Sequence, residues 1–260
     1  IDDIESDYVL SDRFEIECEL PSEGYNRLFK VVRYGKYFVL KGLKEKYRDN
    51  NLYRGLIIKE FDILVSLNHP NIVRCYGIEE VEDLGLCIIM EYVDGVTLDK
   101  FLETKPSSAQ RRKVVKQMLN AMDYYHELQL VHRDLKPSNI LITNNAHNVR
   151  IIDFGLADTD YYAVFKEPAF TRQYASPEQL NEEKLDCRSD IYSLGITMFE
   201  MLTGRVPFNG DTTVAIAIKH IQEEMTPLRQ VVPDVPVSVE SIVLKCCQKS
   251  PDRRYQSMAE

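Results

Sequence analysis

The chain has 260 residues, 44% hydrophobic and 28% charged, with 32 basic against 41 acidic residues and a formal net charge of −9. That length suits one large domain or two lobes sharing a cleft, and the composition is that of an ordinary soluble globular protein. The acidic balance argues against nucleic acid or an anionic membrane as the main partner.

No apolar run reaches the length of a membrane span, and no signal peptide opens the chain. It begins at Ile1 and not at Met, so it reads as a fragment, and the full-length protein could be membrane-anchored outside it. The six cysteines, Cys18, Cys75, Cys87, Cys187, Cys246 and Cys247, form no Cys-x-x-Cys pair, and the histidines complete no zinc pattern. Cys246 and Cys247 read as two small residues on a buried helix face, and a reduced, cytoplasmic setting fits.

Residues 1–12 are acidic and without periodicity, a leader. From Arg13 the alternation of Phe14, Ile16, Cys18 and Leu20 points one face of a strand inward. Residues 25–34 and 37–43 read as two more strands, joined by a tight turn at Gly35. Helical spacing follows, with Leu56, Ile57, Phe61, Leu64 and Leu67 on one side, until Asn68-His69-Pro70-Asn71 stops it. Strands at 72–78 and 86–93 complete a small antiparallel sheet.

After Asp94-Gly95 the character changes. Residues 97–103 and 109–128 are helical, the latter with Val114, Val115, Met118, Leu119, Met122 and Tyr125 on one stripe. Short strands flank the stretch His132 to Asn139, an irregular loop covers 157–174, and helices follow at 177–180, 186–203, 214–222 and 238–248. The expected architecture is a bilobal α+β fold: an N-lobe over 13–93 rich in strand with one main helix, a hinge at about 91–96, and a larger, mainly helical C-lobe over 97–260 whose last helix is truncated.

The stretch His132-Arg133-Asp134-Leu135-Lys136-Pro137-Ser138-Asn139 packs an acid, two bases and an amide ahead of an apolar run. A second apolar pair, Ile151-Ile152, leads into Asp153-Phe154-Gly155. Asp134, Asn139 and Asp153 offer hard oxygen ligands for divalent cations, and Lys136 adds a positive charge, a combination suited to phosphate.

These residues resemble the catalytic loop and metal-binding triplet of the protein kinases. The resemblance implies ATP and Mg²⁺ as cofactors and a protein with a serine or threonine hydroxyl as substrate. It assigns Asp134 as the base, Lys136 to the migrating phosphoryl group, and Asn139 and Asp153 to magnesium. Val39-Leu40-Lys41 resembles the family's strand lysine, and Glu60 stands where its helix partner belongs. Ile88-Ile89-Met90-Glu91-Tyr92-Val93 resembles the adenine-binding hinge: Met90 as gatekeeper, backbone groups of Glu91 and Val93 on the purine edge, and Leu20, Leu28, Val39 and Leu141 around the base. His132, Leu64, Cys75 and Phe154 would form the family's apolar stack.

Downstream, Thr171-Arg172-Gln173-Tyr174-Ala175-Ser176-Pro177-Glu178 resembles the substrate-positioning loop in a Ser-Pro-Glu variant, with Arg254 as the partner of Glu178. Asp190 stands where an aspartate braces the catalytic loop. Lys136 and Thr171 favour serine/threonine over tyrosine substrates, and Thr97 and Ser138 replace acids that arginine-directed kinases carry. The Asp190 segment and the Arg-Tyr-Gln-Ser ending resemble the bacterial, eukaryote-like branch.

Two departures stand out. Pro21, Glu23 and Asn26 occupy the three glycine positions of the phosphate-covering loop, so weaker nucleotide affinity is expected. Glu167 occupies the usual phospho-acceptor position and Asp158 a common basic position. Glu167 is therefore expected to give Arg133 a permanent negative partner, with phosphorylation at Thr159, Tyr161 or Tyr162 as the alternative. The loop departures keep open a pseudokinase acting as a nucleotide-binding or scaffolding module. A small-molecule phosphotransferase is disfavoured by Ser-Pro-Glu and by the segment from Asp190 to Gly195.

Overall fold

The computed structural model describes residues 13–157 and 172–260. The 1–12 leader, Asp158, Thr159, Tyr161, Tyr162, Glu167 and Thr171 lie outside the described residues. The chain divides into two compact units: one runs to Ser66 and takes up Arg74–Tyr92, and the other holds Leu67–Val73 and the chain from Val93.

The first unit is a five-stranded antiparallel sheet with one long helix. Strands β1 (Glu15–Leu20), β2 (Asn26–Arg33), β3 (Lys36–Leu43), β4 (Cys75–Val81) and β5 (Gly85–Glu91) take the order β1-β2-β3-β5-β4, and α1 spans Asn51–Ser66. The β2–β3 turn is Tyr34-Gly35, both at positive φ (53° and 71°), as a tight hairpin matching strand twist demands. Phe29, Val31, Leu40, Leu84, Cys87 and Ile89 form a buried cluster on one face. The pairs Leu20↔Leu28, Leu28↔Lys41 and Val39↔Met90 put Leu20, Leu28, Val39, Lys41 and Met90 together on the other face.

Two strand expectations need correction. The alternation from Phe14 to Leu20 does not point one face inward. A bulge between Ile16 and Cys18 sets them opposite Val31 and Lys30, adjacent residues facing opposite sides, and leaves Ile16 53% exposed on an edge strand. The strand expected at 72–78 begins only at Cys75. Ile72 instead forms a parallel bridge to Ile151, and the Val73 N–H donates to the Ile151 carbonyl (3.0 Å), which places 72–73 in the second unit. Apolarity identified the run as extended but not its pairing partner.

The second unit is mainly helical. Helices α2 (Leu98–Glu103), α3 (Ser108–Glu127), α4 (Pro177–Leu180), α5 (Cys187–Thr203), α6 (Thr213–Gln222), α7 (Leu228–Val231) and α8 (Val237–Cys246) accompany a three-stranded sheet of β6 (Gly95–Thr97), β7 (Ile140–Thr143) and β8 (Val149–Ile151). Helix α3 opens on a reciprocal capping box between Ser107 and Gln110. Strand β6 was not anticipated from sequence. Glycine is required there, because a Cβ at Gly95 would lie 2.3 Å from the Ile142 carbonyl oxygen. Helix α5 is buried almost all round, and its Ile191, Tyr192, Ile196 and Phe199 pack with Phe208, Leu228, Val243, Cys246 and Cys247. Gly195 lets α8 approach: a Cβ there would lie 2.5 Å from Cys247 Sγ, so the cysteine pair is indeed a small buried surface.

Candidate active site

In the first unit, the Lys41 ammonium meets the Glu60 carboxylate at 2.7 Å, with the two residues 4% and 3% exposed. Strand β3 supplies the lysine and α1 the glutamate, whose neighbours Leu56, Ile57, Ile63 and Leu64 are buried with it. A solvated surface pair would contribute little; this one is desolvated, so removing either partner takes a charge-assisted bond from a buried charge. Glu91, at the end of β5, exchanges bonds with Arg74: its N–H donates to the Arg74 carbonyl (2.9 Å) and its carboxylate accepts from the Arg74 N–H (3.1 Å). Leu64 and Cys75 belong to this unit, and burial pushes the Cys75 thiol up, with the Glu60 charge adding to it.

The loop from Pro21 to Asn26 has its own bracing. Ser22 Oγ donates to the Asn26 carbonyl (3.0 Å), the Lys44 ammonium to the Gly24 carbonyl (2.5 Å), and the Lys44 N–H to the Tyr25 carbonyl (2.9 Å). The Tyr25 ring meets Tyr53 of α1 edge-on at 5.2 Å, and Tyr53 stacks on Tyr47 at 4.3 Å. Gly24 alone in this loop has positive φ (63°). Nothing in the sequence beyond the tyrosines themselves signalled that clip.

In the second unit, Asp134, Lys136 and Asn139 come together. Asn139 Nδ2 donates to the Asp134 carbonyl (2.8 Å) and to its Oδ2 (3.2 Å), and the Lys136 ammonium lies 3.7 Å from that Oδ2. The Asn139 amide nitrogen is thus turned to Asp134, which directs Oδ1 the other way, as a cation ligand requires. The Ile152 N–H donates to the Asn139 carbonyl (3.0 Å), which ties Asn139 to the residue before Asp153. Asp153 has φ of 63° and its Oδ1 accepts from the Gly155 N–H (3.3 Å). One carboxylate and one amide oxygen fit magnesium, which takes few protein oxygens and completes its octahedron with water and phosphate. Leu141 follows on β7, and Val93 begins the longer segment of this unit.

The backbone at His132 and Arg133 rests on Asp190, buried at the start of α5. Its carboxylate accepts from the His132 N–H (2.8 Å), the Arg133 N–H (3.0 Å) and His126 Nε2 (2.9 Å). Burial alone would push this carboxyl up, but the His126 bond and charge and the His132 N–H hold it below its ordinary value. His126 was missed in the sequence, since one histidine on a helical stripe carries no signal. The His132 ring lies 4.8 Å from Phe154, which meets Tyr125 at 5.6 Å, and His132 Nε2 faces the Ile152 carbonyl at 3.1 Å.

Glu178 and Arg254 form a bidentate pair at 2.6 and 2.8 Å, with Ser189 Oγ also donating to Glu178 (2.8 Å). Burial would raise the Glu178 carboxyl, but Arg254 overrides it and holds it low. Tyr174 donates to Glu200 (2.6 Å), its carbonyl accepts from Ser193 Oγ (2.7 Å), and Gln179 Nε2 donates to the Arg133 carbonyl (2.7 Å). Glu200 and Gln179 also escaped the sequence reading, although Ser176-x-x-Gln179 is a legible capping box.

The protein kinase domain family matches residues 23–259. The chain belongs to the protein kinase family. It is 38% identical over 264 residues to the serine/threonine-protein kinase PknB of Mycolicibacterium smegmatis, covering 96% of this chain and 42% of that protein. It is 38% identical over 225 residues to the serine/threonine-protein kinase PrkC of Bacillus subtilis, covering 84% of this chain and 34% of that protein. A probable serine/threonine-protein kinase of Clostridium acetobutylicum is 32% identical over 260 residues, 97% of this chain and 39% of its own length. The chain therefore spans about two fifths of the length of the curated relatives it matches. All three are bacterial, in keeping with the branch expected from the Asp190 segment and the Arg-Tyr-Gln-Ser ending. Among the described residues no helix is long and apolar enough to cross a membrane.

Proposed function

We propose that this kinase domain transfers the γ-phosphoryl group of ATP to serine or threonine hydroxyls of protein substrates. The observation that carries the reading is the Asp134–Lys136–Asn139 cluster on its Asp190 support. Asp134 would accept or orient the hydroxyl proton, and Lys136 would neutralise charge on the migrating phosphoryl group. Lys41, held by Glu60, would bind the α- and β-phosphates, with Leu20, Leu28, Val39, Met90 and Leu141 contacting the base and Glu91 and Val93 its edge through their backbones. Asn139 and Asp153 would hold magnesium, which screens phosphate charge when bound. The substrate is a protein and the setting the cytoplasm, and Arg133 would answer to charge at Glu167 or to phosphate at Thr159.

A pseudokinase would need the phosphate-loop losses to outweigh this intact set, and the relatives bear kinase names. Incubation with MgATP and a generic protein substrate, followed by phosphoamino-acid analysis, tests the reading. Phosphoserine or phosphothreonine is expected. Phosphotyrosine alone, or nucleotide binding without transfer, rejects it.

A further inference from the structure

Arg133, immediately before Asp134, has φ of 70°, a left-handed conformation that a long side chain disfavours and that persists only when its surroundings impose it. Its N–H is held by Asp190 Oδ1 (3.0 Å) and its carbonyl by Gln179 Nε2 (2.7 Å). That carbonyl shares a peptide plane with the Asp134 N–H, which donates to His132 Nδ1 (3.2 Å). The plane that carries Asp134 is therefore fixed at its oxygen by Gln179 and at its hydrogen by His132.

Gln179 is 4% exposed and stands third in α4. Its Oε1 accepts from the Ser176 N–H (3.2 Å) while its own N–H donates to Ser176 Oγ (3.3 Å). With an N–H donor on one side and a carbonyl on the other, only this orientation of the side-chain amide satisfies both contacts. One side chain thus joins the segment holding Ser176 and Glu178 to the backbone in front of the base.

We propose that Gln179 is a positioning residue that sets Asp134, coupling the substrate-positioning segment to the catalytic loop. The proposal rests on the kinase reading for its effect on rate. Glutamate is the natural discriminating substitution, because it keeps the capping acceptor at this position and removes the donor to the Arg133 carbonyl. Protonation of the buried carboxyl, favoured by desolvation, would restore that donor.

The test compares wild type, Gln179→Glu and Gln179→Leu for kcat, KM for ATP, and amide exchange of segment 132–135. Both variants are expected to lose roughly tenfold in kcat at pH 8, the effect of losing one hydrogen bond to the Arg133 carbonyl, with KM for ATP within about twofold. Gln179→Glu should recover toward wild type as pH falls to about 6, Gln179→Leu should not, and exchange should be faster in both at pH 8. A cap without a positioning role predicts Gln179→Glu within about twofold of wild-type kcat at pH 8 and unchanged exchange, and that result overturns the proposal. If wild type itself shows no transfer, the kinase reading fails, and the exchange comparison alone decides whether Gln179 is a brace.

Discussion

Arg254→Lys gives the sharpest test of the packing that holds the segment of Ser176 and Glu178. All five guanidinium N–H groups of Arg254 are used. Nε donates to the Gln248 carbonyl (2.7 Å), Nη1 to Glu178 (2.6 Å) and the Arg188 carbonyl (2.9 Å), and Nη2 to Glu178 (2.8 Å) and the Lys249 carbonyl (3.0 Å). The guanidinium carbon also lies 4.9 Å from the Tyr192 ring centre. A lysine keeps the charge but offers three donors from one point, so it cannot serve both carboxylate oxygens and three carbonyls.

With three donors for five acceptors, two are left unserved at about 1–3 kcal/mol each, out of a whole-domain stability of about 5–15 kcal/mol. At roughly 2–4 °C per kcal/mol for a chain of this size, the melting temperature should fall by roughly 10 °C. Arg254→Met should do more damage at pH 8 than at pH 5, because the stranded Glu178 carboxyl must then be buried charged. In wild type the sign is reversed: Glu178 is held low, so its contribution is present above its ordinary value and lost only as pH falls through the folded one. The double variant Glu178→Leu with Arg254→Met should be more stable than Arg254→Met alone. Thermal melts at both pH values decide it, and an Arg254→Lys melt within about 3 °C of wild type would refute the reasoning.

Three further outcomes are expected. Lys41→Met should destabilise the first unit by about 3 kcal/mol by breaking the buried bond to Glu60 and weaken MgATP-analogue binding at least roughly tenfold; unchanged affinity would remove Lys41 from the nucleotide site. Glycine at positions 21, 23 and 26 should lower the KM for ATP, roughly threefold once the entropy of glycine offsets the recovered amide donors, and an unchanged KM would sink that idea. His220 is buried on α6, its Nδ1 meets the Tyr192 hydroxyl at 2.8 Å, and it lies beside Phe208, the Gln173 backbone and Lys249. Burial, reinforced by Lys249, pulls it down to about 4, so neutral His220 stabilises the fold above pH 6.5 and that stability drains away between 6.5 and about 4. The gap amounts to roughly 3 kcal/mol. His220→Phe should flatten the acid limb of a urea-melt pH profile over that window, and an unaltered limb would count against it.

Much of the fold was legible because burial follows period. The stripe of α3 carries its own signal, and the Tyr34-Gly35 hairpin announces its turn. Partner choice carried none. Residues 72–73 read as strand from their side chains, yet the backbone bridge to Ile151 decides where they belong. In β1 one extra residue at the bulge reversed the facing of everything before it, which no alternation rule reports.

The site divides the same way. The Lys41–Glu60 and Asp134–Asn139 contacts were readable because these residues stand in a recognisable order along the chain. His126, Glu200, Gln179 and the Tyr25–Tyr53–Tyr47 clip were not, because their contribution lies in contacts between residues distant in sequence. The Asp134–Lys136–Asn139 cluster needed only local turns.

The most direct measurement of the central claim is phosphoryl transfer from MgATP by wild type and Asp134→Asn, with MgATP affinity measured on the same samples. A positioned base contributes roughly 10²- to 10⁴-fold, so transfer should fall by at least that lower figure while affinity stays within about twofold. Equal transfer by the two proteins, or none by wild type that binds MgATP, would contradict it.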